Sequence, residues 1–338
     1  MKRRDLLKVG GVAGILAAGQ FALGTCSTFA ADKTWKLKLC HGLAPEHPYQ
    51  LGSLEFGRLI KEYTNGRVTV EVFPNGQLAA SEREMYEGLQ MGTLDMTAST
   101  AAALVPFDSS WAIFGMPYLF RDKPHAHKVL DGDFGTEKLK SLERFNIIGL
   151  AFWENGMNHL VYSGAPIKNP GDMKGRTIRT IETPITVAWV AALGANPVPM
   201  AWSEVFTAIQ NKTVDGTILP LPTIYFNKIY TVAKNISMID VFYQPLPLTI
   251  SKKTWDTMPD DIRALMYKAA FEARTYIRDA TAKLEEKAAR EMASEGVNVI
   301  SYTPEEKKLW IDAIEKQAYP QLVPKFFPKE EIARVQAQ

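Results

Sequence analysis

The strongest constraint on the fold is an alternation of strand-like and helix-like segments that begins at Thr34 and recurs through Pro220. "TWKLKLCHG" alternates so that Trp35, Leu37 and Leu39 share one face, and "HPYQLGSLEFGRLIKEYTNGR" then reads as a helix stopped at Asn65-Gly66. "VTVEVFP" is a β-branched strand ended by Pro74, "SEREMYEGLQMG" is a helix with Ser81 as N-cap and Glu84 three residues on, and "LDMTAS" is another strand. The pattern returns in "NIIGLAFW", "GRTIRTI", "PITVAWVAALG", "NPVPM", "SEVFTAIQNK" and "VDGTILP". Such alternation predicts an α/β fold with parallel strands, helices on the sheet faces, and ligands at the loops leaving the strands. From Pro259 to Gly296 the chain is almost continuously helix-forming, long enough to run across two such units. Thr303 caps one more helix near the end.

The first 30 residues have a different character. Lys2, Arg3 and Arg4 precede a small apolar run, Val9 to Gly24, and then "TCSTFAAD", which is the pattern of an export signal cleaved after Ala30. The paired arginines resemble a twin-arginine signal, Sec export fits as well, and acylation at Cys26 is a third expectation. Nothing later in the sequence has the length and apolarity of a spanning helix. Removing the leader takes the 39 basic and 37 acidic residues to 35 and 36, a net charge of −1. That balance gives no nucleic-acid footprint. Of the two cysteines only Cys40 remains, so no intrachain disulfide is expected, and no structural zinc cluster.

Catalytic motifs are missing: there is no G-x-S-x-G, H-E-x-x-H, phosphate loop or dinucleotide-binding G-x-G-x-x-G. His125 and His127 start a helix two positions apart and point to different sides, which does not make a metal site. His159 could meet a ligand or be a satisfied structural histidine. Trp255 and Trp310 read as core residues, whereas Trp153, Trp189 and Trp202 are open to either ligand contact or packing. Asp95 reads as a strand-end residue that satisfies backbone donors.

"GDMKGRTIRT" carries three cations, Lys174, Arg176 and Arg179. Strand alternation puts Arg176 and Arg179 on opposite faces, so they form no single patch. Lys174 lies in the preceding turn, and both it and Arg176 are expected in solvent. Arg179 lies toward the carboxyl end of its strand, where a guanidinium could grip a carboxylate through two hydrogen bonds or pair structurally with Glu182.

Taken together, "GRVTVEVFPNGQLAASEREMYEGLQMGTLDM", "MPYLFRDKPHAHKVLDGDFG", "WENG", "PIKNPGDMKGRTIRT", "GANPVPMAWSEVFTAIQNKTVDG" and "SKKTWDTMPDDIRALM" resemble the solute-binding proteins of tripartite ATP-independent periplasmic (TRAP) transporters. The resemblance covers essentially all of the chain after the leader. It implies two α/β lobes hinged around a cleft, residues 33–156 plus 245–284 and residues 157–244 plus 285–338, with the long helix spanning both. It also implies a periplasmic protein that binds a small carboxylate, delivers it to membrane permease subunits, and uses no cofactor, metal or catalytic residue.

By the same resemblance Arg179 receives the ligand carboxylate. A second arginine common in the family is replaced by Asn158, and the asparagine of a D-G-x-E-N-P stretch by Leu219. Trp202 takes the place of a stacking aromatic, Glu182 that of a polar residue three after the arginine, and Trp153 lies beside these segments. These departures predict a monocarboxylate with an apolar or aromatic body, such as an amino acid, aromatic acid or oxo acid. The rival readings are an exported enzyme acting on small organic acids and a ligand-sensing partner of a signalling protein.

Overall fold

The computed structural model describes residues 33–323 and 325–338, and the leader, with its cleavage and lipidation expectations, lies outside them. Residues 34–338 group as one unit. Ten strands are present among the described residues: β1 Trp35–Cys40, β2 Val68–Phe73, β3 Met96–Ala98, β4 Ile147–Tyr162, β5 Thr177–Thr180, β6 Asn196–Pro199, β7 Gly216–Pro220, β8 Asn235–Ser237, β9 Tyr243–Ser251 and β10 Asn298–Ile300. They follow the order β2-β1-β3-β9-β4-β7-β5-β6, with β8 joining β4 to β10.

The expected parallel arrangement holds for β2-β1-β3 and for β7-β5-β6. Between these two parallel groups run β4 and β9, which are antiparallel to each other, and β9 is also antiparallel to β3. The sequence reading ended β4 near Trp153, but the strand is 16 residues long and continues through "ENGMNHLVY". Its first part pairs with β9 from Ile147 to Met157 and its last part with β7 from Asn158 to Tyr162, so one strand belongs to both ladders. Just before the changeover lies Gly156, whose φ of +122° is a backbone setting few side chains tolerate. There the pairing with β9 slips between Glu154 and Gly156.

β9 escaped the sequence reading because Pro245 and Pro247 argue against a central strand. The ladder from β9 to β3 covers only Leu248 to Ile250, so both prolines lie where that neighbour has ended.

The helix predicted from Pro259 is a single 35-residue element, Asp260–Ser294. Its first half buries Ile262, Met266, Ala269, Ala270, Ala273 and Ile277 in a core with β1, β3 and β9, and its second half buries Ala288 and Met292 in a different core with Val161, Leu219 and Ile236. At Gly52 of the helix Pro48–Tyr63 a Cβ would come within 2.9 Å of the Ile277 side chain, so the absence of a side chain sets the approach of these helices. Local signals behave as read. Ser81 accepts from the Glu84 amide, and Asp95 accepts from the Lys38 amide at 3.0 Å and the Thr254 hydroxyl at 2.8 Å.

Candidate functional site

The loops that leave β1, β2, β3, β5 and β6 at their carboxyl ends converge on one cleft of about 360 Å³. Gly42 follows β1, Asn75 and Gly76 follow β2, and Thr100 to Pro106 follow β3, while Arg179 sits near the end of β5 with Ile181 to Thr183 after it, and Met200 to Ser203 follow β6. This is the crevice that the parallel arrangement creates in an open α/β sheet. The walls mix apolar surface from Met85, Ile181, Met200 and Trp202 with a small set of charged groups.

Arg179 is the buried cation of this cleft, 4% exposed. β5 is clamped on both sides, Arg179 opposite Val198 of β6 and Ile178 opposite Gly216 of β7, which fixes the direction of the side chain. Nε and Nη2 both donate to the Met200 carbonyl, at 3.1 and 2.8 Å. Among the described residues Nη1 has no hydrogen-bond partner, and no carboxylate lies within 4.0 Å of the guanidinium. The structural pair with Glu182 is therefore not formed. Burial pulls the Arg179 pKa down to about 10, partly offset by the fields of Glu82, Glu182 and Glu204. The group remains a cation at neutral pH.

Glu82, the first residue of the helix Glu82–Met91, lines the same cleft. Its two carboxylate oxygens accept from the Thr100 amide at 2.9 Å and the Thr100 hydroxyl at 2.6 Å. Burial raises its pKa, while the bonds from Thr100 and the charge of Arg179 draw it back. The sequence reading missed Glu82 because the same stretch was spent on the Ser81 cap. The signal was there: an acid at the start of the helix that follows β2, facing the carboxyl ends of the strands.

Three of the six residues expected at the ligand do line the cleft: Arg179, Glu182 and Trp202. The other three do not. Trp153 is fully buried, and its indole N–H donates to the Ala270 carbonyl at 3.0 Å, so it fastens β4 to the long helix. Leu219 packs in the core around Val161 and Met292. Asn158 is 1% exposed and donates to the Phe242 carbonyl at 3.3 Å and to Gln244 Oε1 at 3.4 Å. Trp189 is likewise a core residue. Lys174 is exposed, and Arg176, half-buried, donates to the Ala165 carbonyl at 3.1 Å.

The histidines are structural or sit elsewhere. His41 Nδ1 accepts from the Leu43 amide, leaving Nε2 to donate to Gln50 Oε1 at 2.8 Å. His127 bonds Glu154 at 2.6 Å. His159 lines a separate groove beside Asp240 and Lys307. Among the described residues no group of acids, histidines and cysteines could hold a metal ion, and no helix is long and apolar enough to cross a membrane.

A cleft at the carboxyl ends of parallel strands, with a buried arginine holding one edge open, defines an α/β solute-binding protein. The chain belongs to the bacterial extracellular solute-binding proteins of family 7, whose model matches residues 39–322, and the resemblance to TRAP solute-binding proteins holds. It is 32% identical over 303 residues to the 2,3-diketo-L-gulonate-binding periplasmic protein YiaO of Escherichia coli K12, covering 90% of each chain. It is 34% identical over 280 residues to the C4-dicarboxylate-binding periplasmic protein DctP of Rhodobacter capsulatus, covering 82% of this chain and 84% of that one. A TRAP periplasmic solute-binding protein from Polaromonas sp. JS666, solved bound to D-erythronate, superposes with a TM-score of 0.85 at 31% identity, over 90% of this chain and 99% of that one.

Proposed function

We propose that this chain is the periplasmic capture subunit of a TRAP transporter, that it binds a small organic acid in the cleft, and that Arg179 receives the ligand's carboxylate. The observation that carries this reading is the state of Arg179: a buried guanidinium with one edge tied to Met200 and no acidic partner. Burying a cation without a counter-charge is costly, and a carboxylate ligand removes that cost when it binds.

The finer reading is a single-carboxylate ligand with a partly apolar body. One buried arginine offers one carboxylate-binding edge, and the fields of Glu82, Glu182 and Glu204 disfavour a second negative charge nearby. Met200, Ile181 and Trp202 supply an apolar wall. Relatives are named for a diketo sugar acid and for C4-dicarboxylates, and one is solved with D-erythronate, so ligand choice within the family is broad. Export by the amino-terminal leader, cleavage after Ala30, hinged lobes with the boundaries given above, and delivery to membrane permease subunits belong to the same proposal. Ligand would favour the closed arrangement only through tighter binding to it.

A thermal-shift screen of small acids tests the reading, because a ligand that binds only the folded state raises its melting temperature by mass action. Single-carboxylate acids are expected to stabilise the protein, and their methyl esters are not. Stabilisation by dicarboxylates alone would overturn the finer reading. Equal stabilisation by acids and esters would overturn the role of the cleft arginine.

A further inference from the structure

A second, smaller hollow abuts the cleft. It measures about 10 Å³, room for one water-sized group, and Ala102, Ile181 and Thr183 line it and the cleft alike. Trp111, Phe114 and Phe242 give it apolar walls, and Gln244 of β9, itself 6% exposed, lines it with an amide. The neighbours of that amide decide which way it faces. Asn158 Nδ2 donates to the Phe242 carbonyl at 3.3 Å, which fixes that atom as a donor, and it also reaches Gln244 Oε1 at 3.4 Å. Asn155 Nδ2 donates to the same oxygen at 3.0 Å. Gln244 therefore shows its oxygen to both asparagines and turns its NH2 group away from them. Among the described residues nothing accepts from Gln244 Nε2. A buried amide donor without an acceptor is costly, so this one calls for an oxygen in the hollow.

We propose that Gln244 is a specificity group of the cleft, that its Nε2 donates to an oxygen at the end of the ligand remote from the carboxylate held by Arg179, and that Asn158 positions it. The proposal rests on the carboxylate-binding reading above and narrows it. The ligand is an acid with an uncharged carbonyl at its other end, whose oxygen enters the hollow while its carbons stay in the cleft. A second carboxylate is a poor occupant, since no cation is among the residues that line the hollow. Arg179, Ile181 and Thr183 lead from the cleft to the hollow over at most about 14 Å of chain, so the carbonyl lies several bonds from the carboxylate. A site built to bond a ligand oxygen discriminates against the analogue lacking it far more strongly than an apolar wall discriminates a missing methylene. A trapped water would satisfy Nε2 equally well and would give no carbonyl preference.

The test is calorimetric titration of the purified protein with matched acids of increasing length: 4-oxopentanoate beside pentanoate, 5-oxohexanoate beside hexanoate, and 6-oxoheptanoate beside heptanoate. At the length that spans from Arg179 to the hollow, the oxo acid is expected to bind at least about tenfold tighter than its counterpart. Gln244→Leu is expected to reduce that preference below about threefold. Asn158→Asp offers Gln244 only oxygens, so the amide turns its NH2 toward residue 158 and the preference is lost with Gln244 itself unchanged. Wild-type protein that binds every pair within about threefold overturns the proposal, and so does a preference that survives in Gln244→Leu. A preference that survives in Asn158→Asp overturns the positioning role. The wild-type comparison stands even where a variant fails to fold. If no acid in the panel binds, the carboxylate reading fails together with this one. If acids bind, depend on Arg179 and show no carbonyl preference, this one alone fails.

Discussion

Arg179 spends two nitrogens on a single acceptor, the Met200 carbonyl, with Nε at 3.1 Å and Nη2 at 2.8 Å. The side edge of the guanidinium is thereby occupied and the end edge, Nη1 with the second Nη2 hydrogen, is left for a planar anion. Met200 belongs to the loop that also carries Trp202, so the arginine and the aromatic wall are held in one register.

Arg179→Ala is expected to weaken acid binding by about 2–5 kcal/mol in calorimetric titration while the protein keeps its circular-dichroism spectrum. Arg179→Lys should recover little of the loss, because an ammonium cannot both bond Met200 and present a two-pronged edge. Near-wild-type affinity in either variant would place the carboxylate elsewhere.

Lys174→Ala and Arg176→Ala should each change affinity by less than about 0.5 kcal/mol, since one is exposed and the other bonds only a backbone carbonyl away from the cleft. A larger loss in either would mean that the ligand is steered by the cations as a group.

The two tryptophans make a separable pair. Trp153→Phe loses the bond to Ala270 in a packed core and is expected to cost about 1–3 kcal/mol of stability in urea titration, with ligand affinity unchanged. Trp202→Ala is expected to do the reverse, lowering affinity by about 1–3 kcal/mol through lost apolar contact with small change in stability. An affinity loss confined to the Trp153 variant would reverse the assignment.

Acid should destabilise the fold through its buried histidines. Burial pulls His41 and His159 down to about 4, and His47 well below its ordinary value. Between pH 6.5 and 4 the unfolded chain then binds more protons than the folded one, so stability is full above 6.5 and falls as pH drops through that window. Each of His41 and His159 accounts for up to about 3 kcal/mol of that fall. His159→Gln keeps an acceptor for the Asp240 amide and should flatten the loss between pH 6.5 and 4.5 in denaturant titrations. An unchanged slope would show that the charged imidazole finds a stabilising partner in Asp240.

Strand alternation and capping chemistry made much of the fold legible. The parallel groups, the helix caps and the 35-residue helix all follow from local pattern. β9 did not, because its prolines obey a neighbour relation that exists only once β3 is seen to stop. At the cleft, strand position left Arg179 open between a ligand and a structural pair, and Trp202 was open between ligand contact and packing; the family resemblance placed both, and Glu182, at the ligand, and all three line the cleft. Trp153, Asn158 and Leu219 were misplaced for one physical reason. β4 is paired along its length, with β9 at Trp153 and with β7 at Asn158 and opposite Leu219, so these side chains turn into cores or into hydrogen bonds with neighbouring backbone instead of the crevice. Glu82 was hidden because a single sequence cannot show that its helix start and the β3 loop share a wall.

The long helix is a member of two cores at once and β4 of three. No single cut in the chain therefore yields two self-sufficient halves, and a chimera that swaps one half for a relative's would have to reconcile two foreign interfaces. Altered ligand choice is more accessible by exchanging cleft side chains on this shared frame, where the loops after β1, β2, β3, β5 and β6 can vary while the crossing elements stay fixed.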